Sequence, residues 1–141
     1  MSNNVYLLDT SALMALLEDE EGAGRVEALL LSEPALIPFA ALLEVYYVTL
    51  QKRGETIAAQ RHETLKRTPA DILWKADEQT LVAAARFKAG HRISFADALI
   101  AGFAASYNAV LVHKDPELEL LTGHVAMEAL PYKVQRSRVE E

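Results

Sequence analysis

Short apolar runs recur along this chain, each followed by a longer stretch in which apolar positions return at helical spacing. Val5-Tyr-Leu-Leu8 reads as a strand that ends at Asp9, with Thr10 or Ser11 placed to cap a helix through Ala12–Leu17. The acidic run Glu18-Asp-Glu-Glu21 closes that helix as a solvated loop, and a second helix runs to about Leu31. Ala35-Leu-Ile-Pro38 is a second strand. The helix that follows it spans Phe39 to Lys52 and stops at Gly54. Glu55–Lys66 and Glu78–Lys88 are amphipathic and flank a strand at Ile72–Trp74. Ser94 opens an apolar helix to about Tyr107, Ala109–Val112 is another strand, and Val125–Leu130 is the last. Strands that alternate with helices predict an α/β fold with a mainly parallel sheet covered on both faces. Residues 1–132 are expected to form one domain, with 133–141 a fraying tail.

The pattern leaves a few charges unexplained. Between Arg92 and His113 the only charged side chain is Asp97, in an otherwise apolar helix. Removing a carboxylate from water costs several kcal/mol unless something compensates it. Ser94-x-x-Asp97 matches a capping box, and a first-turn carboxylate also sits in the favourable field of the helix dipole, so capping and metal ligation are compatible roles. Glu44 lies in Phe39–Leu50, a helix apolar on almost every side, which favours an inward-facing carboxylate. Asp9 lies at the carboxyl end of the first strand, where α/β sheets bind ligands, although a turn or cap explains it equally well. Asp115 follows another strand and precedes Pro116, which also suits a simple turn.

If the four acids converge, their repulsion has to be offset. Two carboxylates ~4 Å apart at an effective dielectric of ~20 repel by about 4 kcal/mol. Oxygen ligands of this kind call for a hard cation such as Mg²⁺ or Mn²⁺, which can activate water for attack on a phosphodiester.

Charge and composition narrow the chemistry further. There is no cysteine, so disulfides, thiolate catalysis and Cys-ligated zinc are excluded, and a reducing cytoplasm is the expected compartment. The start of the chain lacks the basic and apolar stretches of a secretory signal, and the run from Ile93 to Val112 reads as a helix and strand rather than a membrane span. The net charge of −6 argues against a generally sticky nucleic-acid binder. It is unevenly spread: residues 1–50 net −7, residues 51–100 net +3 and the remainder −2. Cations able to meet a phosphate backbone therefore lie in the middle third, among them Lys52, Arg53, Lys66, Arg67, Arg86, Lys88 and Arg92.

Four fragments taken in order resemble the PIN-domain nucleases, and among them the small toxin ribonucleases of the VapC type. They are Tyr6-Leu-Leu-Asp9-Thr-Ser-Ala-Leu13, Pro38-Phe-Ala-Ala-Leu-Leu-Glu44-Val-Tyr-Tyr, Ile93-Ser-Phe-Ala-Asp97-Ala-Leu-Ile-Ala and Val110-Leu-Val-His-Lys-Asp115-Pro-Glu-Leu118. The resemblance implies a three-layer α/β/α fold and places Asp9, Glu44, Asp97 and Asp115 as the metal-binding acids of an Mg²⁺- or Mn²⁺-dependent endoribonuclease. It also implies an RNA substrate, frequent homodimerisation and a cognate antitoxin. Ser11 corresponds to a small hydroxyl residue that orients a carboxylate or a substrate phosphate. His113 departs from the pattern, because many relatives carry Thr or Ser two residues before the fourth acid. Its alternatives are a strand-end side chain, a donor to substrate phosphate, or a group that tunes Asp115. Two rival readings are a phosphoryl-transfer domain of the haloacid-dehalogenase or receiver type, and a PIN-like module that binds protein without catalysis.

Overall fold

A computed structural model describes residues 3–133; all but the first residue of the expected tail lies outside them. Five strands form one sheet in the order β3-β2-β1-β4-β5: β1 is Tyr6–Leu8, β2 Ala35–Pro38, β3 Asp71–Leu73, β4 Val110–His113 and β5 Met127–Ala129. Every pairing is parallel, with Tyr6 opposite both Ala35 and Val110. Six helices connect them: α1 Thr10–Leu17, α2 Ala23–Ser32, α3 Phe39–Arg53, α4 Glu55–Lys66, α5 Glu78–Gly90 and α6 Phe95–Ser106. They flank the sheet as an α/β/α sandwich. Because β1 is the middle strand and is covered on both faces, all three of its side chains are buried, and its apolar run has no alternation.

Besides shifts of one or two residues at the ends of β4, β5 and α5, the structure departs from the sequence expectation in three places. β3 is Asp71–Leu73 rather than Ile72–Trp74; as an edge strand it needs little burial, and Trp74 stands outside it, 56% exposed. The cap of α1 is Asp9, whose side chain accepts the Ala12 N–H, and not Thr10 or Ser11. That shift leaves the Thr10 hydroxyl free to serve Glu44 and the Ser11 hydroxyl free to serve Asp9 itself. Helix α3 is less enclosed than its composition implies, since Leu43 and Tyr47 face outward at 60% and 43% exposure.

Two glycines are required by geometry. Gly54, at φ +88, ends α3 and starts α4 with a single residue. Gly102 lies where α6 meets α5, and a Cβ there would come within 2.8 Å of the Ala84 Cβ and 2.9 Å of both the Ala84 nitrogen and the Thr80 carbonyl oxygen. Backbone atoms cannot swing aside, so this close approach fixes the height of α6 and of the carboxylate on its first turn. Among the described residues no helix is long and apolar enough to cross a membrane.

Candidate metal centre

In an all-parallel sheet the strand ends that follow β1, β2 and β4 open on one edge. Asp9 leaves β1 there, α3 carries Glu44 away from the end of β2, and Asp115 lies two residues beyond β4. Asp97 arrives from the first turn of α6.

Asp9 is held from all sides. Its N–H donates to the Val112 carbonyl (3.1 Å), which extends the β1–β4 pairing by one residue, and its own carbonyl accepts from Leu13 of α1 (3.1 Å). The carboxylate accepts the Ala12 N–H at 2.8 Å and the Ser11 hydroxyl at 2.8 Å from each oxygen. Ser11 Oγ in turn accepts the Lys114 N–H at 2.7 Å. A relay thus runs from the β4 turn through Ser11 to Asp9, across 103 residues of sequence. Burial pushes the Asp9 carboxyl up to about 7; the Ala12 and Ser11 donors oppose that rise, and the negative charges of Asp97 and Asp115 add to it.

Glu44 is half-buried and accepts the Thr10 hydroxyl at 2.5 Å. The two residues that follow the Asp9 cap, Thr10 and Ser11, therefore each serve a different acid. At the start of α6 the Ser94 hydroxyl accepts the Asp97 N–H (3.0 Å). The capping expected from the sequence is present, and the Asp97 carboxylate is left facing the other acids. Burial raises its carboxyl to about 6, helped by the charges of Asp115, Glu44 and Glu117.

Sequence reading missed Glu117. Single carboxylate oxygens of Asp97, Asp115 and Glu117 all lie within 4.8 Å of one another. The short 3₁₀ turn Pro116–Leu121 starts with Asp115 as its cap, and the Asp115 carboxylate accepts the Glu117 N–H at 3.0 Å. An Asp-Pro-Glu run offers a local hint, because a cap at Asp115 turns the residue two positions on back toward it. Nothing in the sequence places that turn beside α6.

His113, the last residue of β4, is buried at 1% exposure, and its Nδ1 accepts the Asp115 N–H at 3.2 Å. An accepting Nδ1 requires the neutral ring, in agreement with burial lowering its affinity for a proton. Its hydrogen bond is thus with the Asp115 turn.

The donor set fits a hard divalent cation. Asp97, Asp115 and Glu117 have oxygens within 4.8 Å of one another, Asp9 and Glu44 stand near enough to couple to them electrostatically, and among the described residues none of the five forms an ion pair with Lys, Arg or His. The ligand atoms brought together are carboxylate oxygens, and the neighbouring His113 has its Nδ1 engaged by the Asp115 N–H.

Residues 6–123 match the PIN domain family. The fold is similar to a chain of the VapBC2 complex of Rickettsia felis bound to a promoter DNA fragment (17% identity, TM-score 0.74, covering 90% of this chain and 99% of that one). It is also similar to the DNA-bound VapBC of Salmonella typhimurium (21% identity, TM-score 0.73, 89% and 98%). A third likeness is to VapC20 of Mycobacterium tuberculosis, described as a toxin that cleaves the sarcin-ricin loop (17% identity, TM-score 0.68, 91% and 100%). At these identities the likeness is one of fold. No curated protein matches the chain.

Proposed function

The chain belongs to the PIN-domain family, and from that premise we propose that it is a metal-dependent endoribonuclease of the VapC toxin type, held in check by a cognate antitoxin. The observation that carries the proposal is the cluster of Asp97, Asp115 and Glu117 with Asp9 and Glu44 close by at one end of the sheet, none of them in an ion pair among the described residues. Carboxylates so placed need a cation, and the cation this donor set selects is Mg²⁺ or Mn²⁺. Such an ion, when bound, lowers the pKa of a coordinated water and stabilises charge on the phosphodiester.

This chain's residues divide the remaining work. Asp97, Asp115 and Glu117, whose oxygens lie within 4.8 Å of one another, are the primary candidates for ligation, and Asp9 lies buried behind them. Ser11 fixes the rotamer of Asp9, and Thr10 does the same for Glu44, so both act as positioning residues. His113 positions Asp115 by holding its backbone, and at 1% exposure it has no path to a substrate phosphate.

The antitoxin and a homodimer belong to the same reading. Support for an antitoxin comes from the VapBC complexes whose fold this chain shares. Support for self-association is the apolar groove of about 550 Å³ between α5 and α6, where Leu81 and Phe95 stand 62% and 75% exposed. A cytoplasmic location follows from an RNA substrate. The phosphatase and receiver rivals find no support in the family match. A PIN-like module without catalysis is disfavoured by five acids kept together at a cost in repulsion.

The test is to induce the protein in cells and map new RNA ends across total RNA, with the Asp9→Asn protein as control. Ends that appear at a restricted set of positions with the wild type alone support the proposal. Identical end profiles for the two proteins would overturn it.

A further inference from the structure

A chain with net charge −6 and five clustered acids must still hold a polyanion if it cleaves RNA. We infer that the groove beside the carboxylates is the track for a single-stranded RNA, with Lys52 as the cation that anchors its backbone; the inference rests on the nuclease reading above. The groove encloses about 420 Å³, and Thr10, Ser11 and Asp115 form its wall at the acid site, so the two are continuous. A strand whose phosphate lies at the acids has this groove as its immediate continuation.

Two acids in the groove, Glu18 and Glu20, oppose a polyanion unless they are neutralised. Each is matched by two cations. Glu18 meets Arg53 at 3.2 Å and Arg61 at 3.5 Å, while Glu20 meets Lys133 at 3.0 Å and Lys114 at 3.6 Å. Four cations thus surround the two acids, and Lys52 lines the same groove. Beyond the boundary marked by Asp115 the groove lining carries Lys52, Lys114 and Lys133 against Glu18 and Glu20, with Arg53 and Arg61 behind Glu18, so the site is bipolar: acids that call for a metal, then a wall that attracts phosphate.

Lys52 is the cation of the groove free to serve. It is exposed and forms no ion pair among the described residues, whereas the two other lysines that line the groove, Lys114 and Lys133, are engaged by Glu20. It lies eight residues after Glu44 on the same helix, roughly 12 Å along the axis at 1.5 Å per residue. That distance reaches a phosphate flanking the one at the acids. Met14, Val48 and the Tyr132 ring supply the apolar wall against which riboses and bases can rest without reading sequence.

The same track gives the ion pairs of the acidic loop a role. Without Arg53, Arg61, Lys114 and Lys133, Glu18 and Glu20 would repel the strand.

The experiment is fluorescence anisotropy of a labelled 12-nucleotide single-stranded RNA with the full-length Asp97→Asn protein, in which cleavage is disabled, across a salt series. Lys52→Gln is expected to weaken binding about two- to fivefold, the worth of one exposed charge pair. The slope of log affinity against log salt should fall by about 0.7, the value for one neutralised phosphate on a single strand. Lys52→Arg should restore both, and Lys75→Gln, away from the groove, should leave both unchanged. In the wild-type background Lys52→Gln should raise KM while kcat stays within about threefold. RNA binding with unchanged affinity and slope in Lys52→Gln overturns the groove assignment and leaves the nuclease reading standing. No RNA binding by the Asp97→Asn protein with Lys52 intact removes both. Weakened binding to an acidic peptide, but not to RNA, in Lys52→Gln would make the groove a protein site and equally overturn the inference.

Discussion

The inner and outer halves of the acid site are built by opposite means. The inner half is Asp9, at 2% exposure, with its oxygens supplied by the Ala12 N–H and the Ser11 hydroxyl and its backbone tied to both β4 and α1. The outer half is Asp97 and Asp115, both half-buried, and the exposed Glu117, with oxygens within 4.8 Å of one another and no ion pair to any of them among the described residues. The inner carboxylate is satisfied by the protein and so is rigid without a ligand. Of the outer three, Asp115 accepts a single backbone N–H, from Glu117, and none is paired with a cation among the described residues, so they depend on what binds. The fold thus supplies a fixed floor and leaves the charge deficit at the mouth.

The largest effect should come from removing Asp97 or Asp115, the two half-buried acids of the outer half. Asp97→Asn or Asp115→Asn is expected to lower RNA cleavage by at least ~10²-fold while circular dichroism and thermal melting show an intact fold. Cleavage within tenfold of wild type in either variant would dissolve the distinction between the halves.

Next in size is the pH dependence of the metal-free protein. Asp9 is raised to about 7 and Asp97 to about 6, both from an ordinary value of 3.8. Groups that hold protons more tightly when folded make stability fall as pH rises from the unfolded value through the folded one. With respect to these groups, the metal-free protein should therefore be most stable below about pH 4 and should lose stability up to about pH 7. Asp9 alone accounts for on the order of 4 kcal/mol. Chemical denaturation at pH 5 and pH 8 without metal reads the effect, and saturating Mn²⁺ should recover more at pH 8 than at pH 5. Asp9→Asn should flatten the slope, and an unchanged slope would refute the inner-half description.

A smaller effect is expected from Ser11→Ala, which cuts the relay between the Lys114 N–H and the Asp9 carboxylate. It should cost about 1–2 kcal/mol of stability and about 10-fold in metal affinity or activity. Ser11→Thr keeps the hydroxyl and should recover most of both. The smallest change is expected from Glu117→Gln: an exposed ligand among several, whose removal should weaken Mn²⁺ binding a few-fold by calorimetry or paramagnetic resonance while leaving the fold unchanged.

What can be read from the sequence follows how local each interaction is. The Ser94 cap under Asp97 spans three residues, and the pattern announces it. The alternation of strands and helices is equally local, and it leads to the parallel sheet. Thr10 bound to Glu44 spans 34 residues and Lys114 bound to Ser11 spans 103, so neither has a local signature. Asp, Thr and Ser are all good caps, so the sequence does not separate Asp9 from Thr10 or Ser11 at the start of α1; the fold makes Asp9 the cap and assigns the two hydroxyls to two different acids. Glu117 reads as a surface acid in a turn, and only the packing of that turn beside α6 brings it to the site. The β3 register differs by one because an edge strand carries a weak burial pattern, and the Trp74 ring, which suits a strand, stands in solvent.

The most direct measurement is cleavage of a defined RNA by the purified protein with Mn²⁺ or Mg²⁺, in excess EDTA, and after the ion is restored. Cleavage with either ion, its disappearance in EDTA, its return on restoration and its absence throughout in Asp97→Asn is the expected result. Cleavage that persists undiminished in EDTA, or in Asp97→Asn, would contradict a metal-centred acid site on this sheet edge.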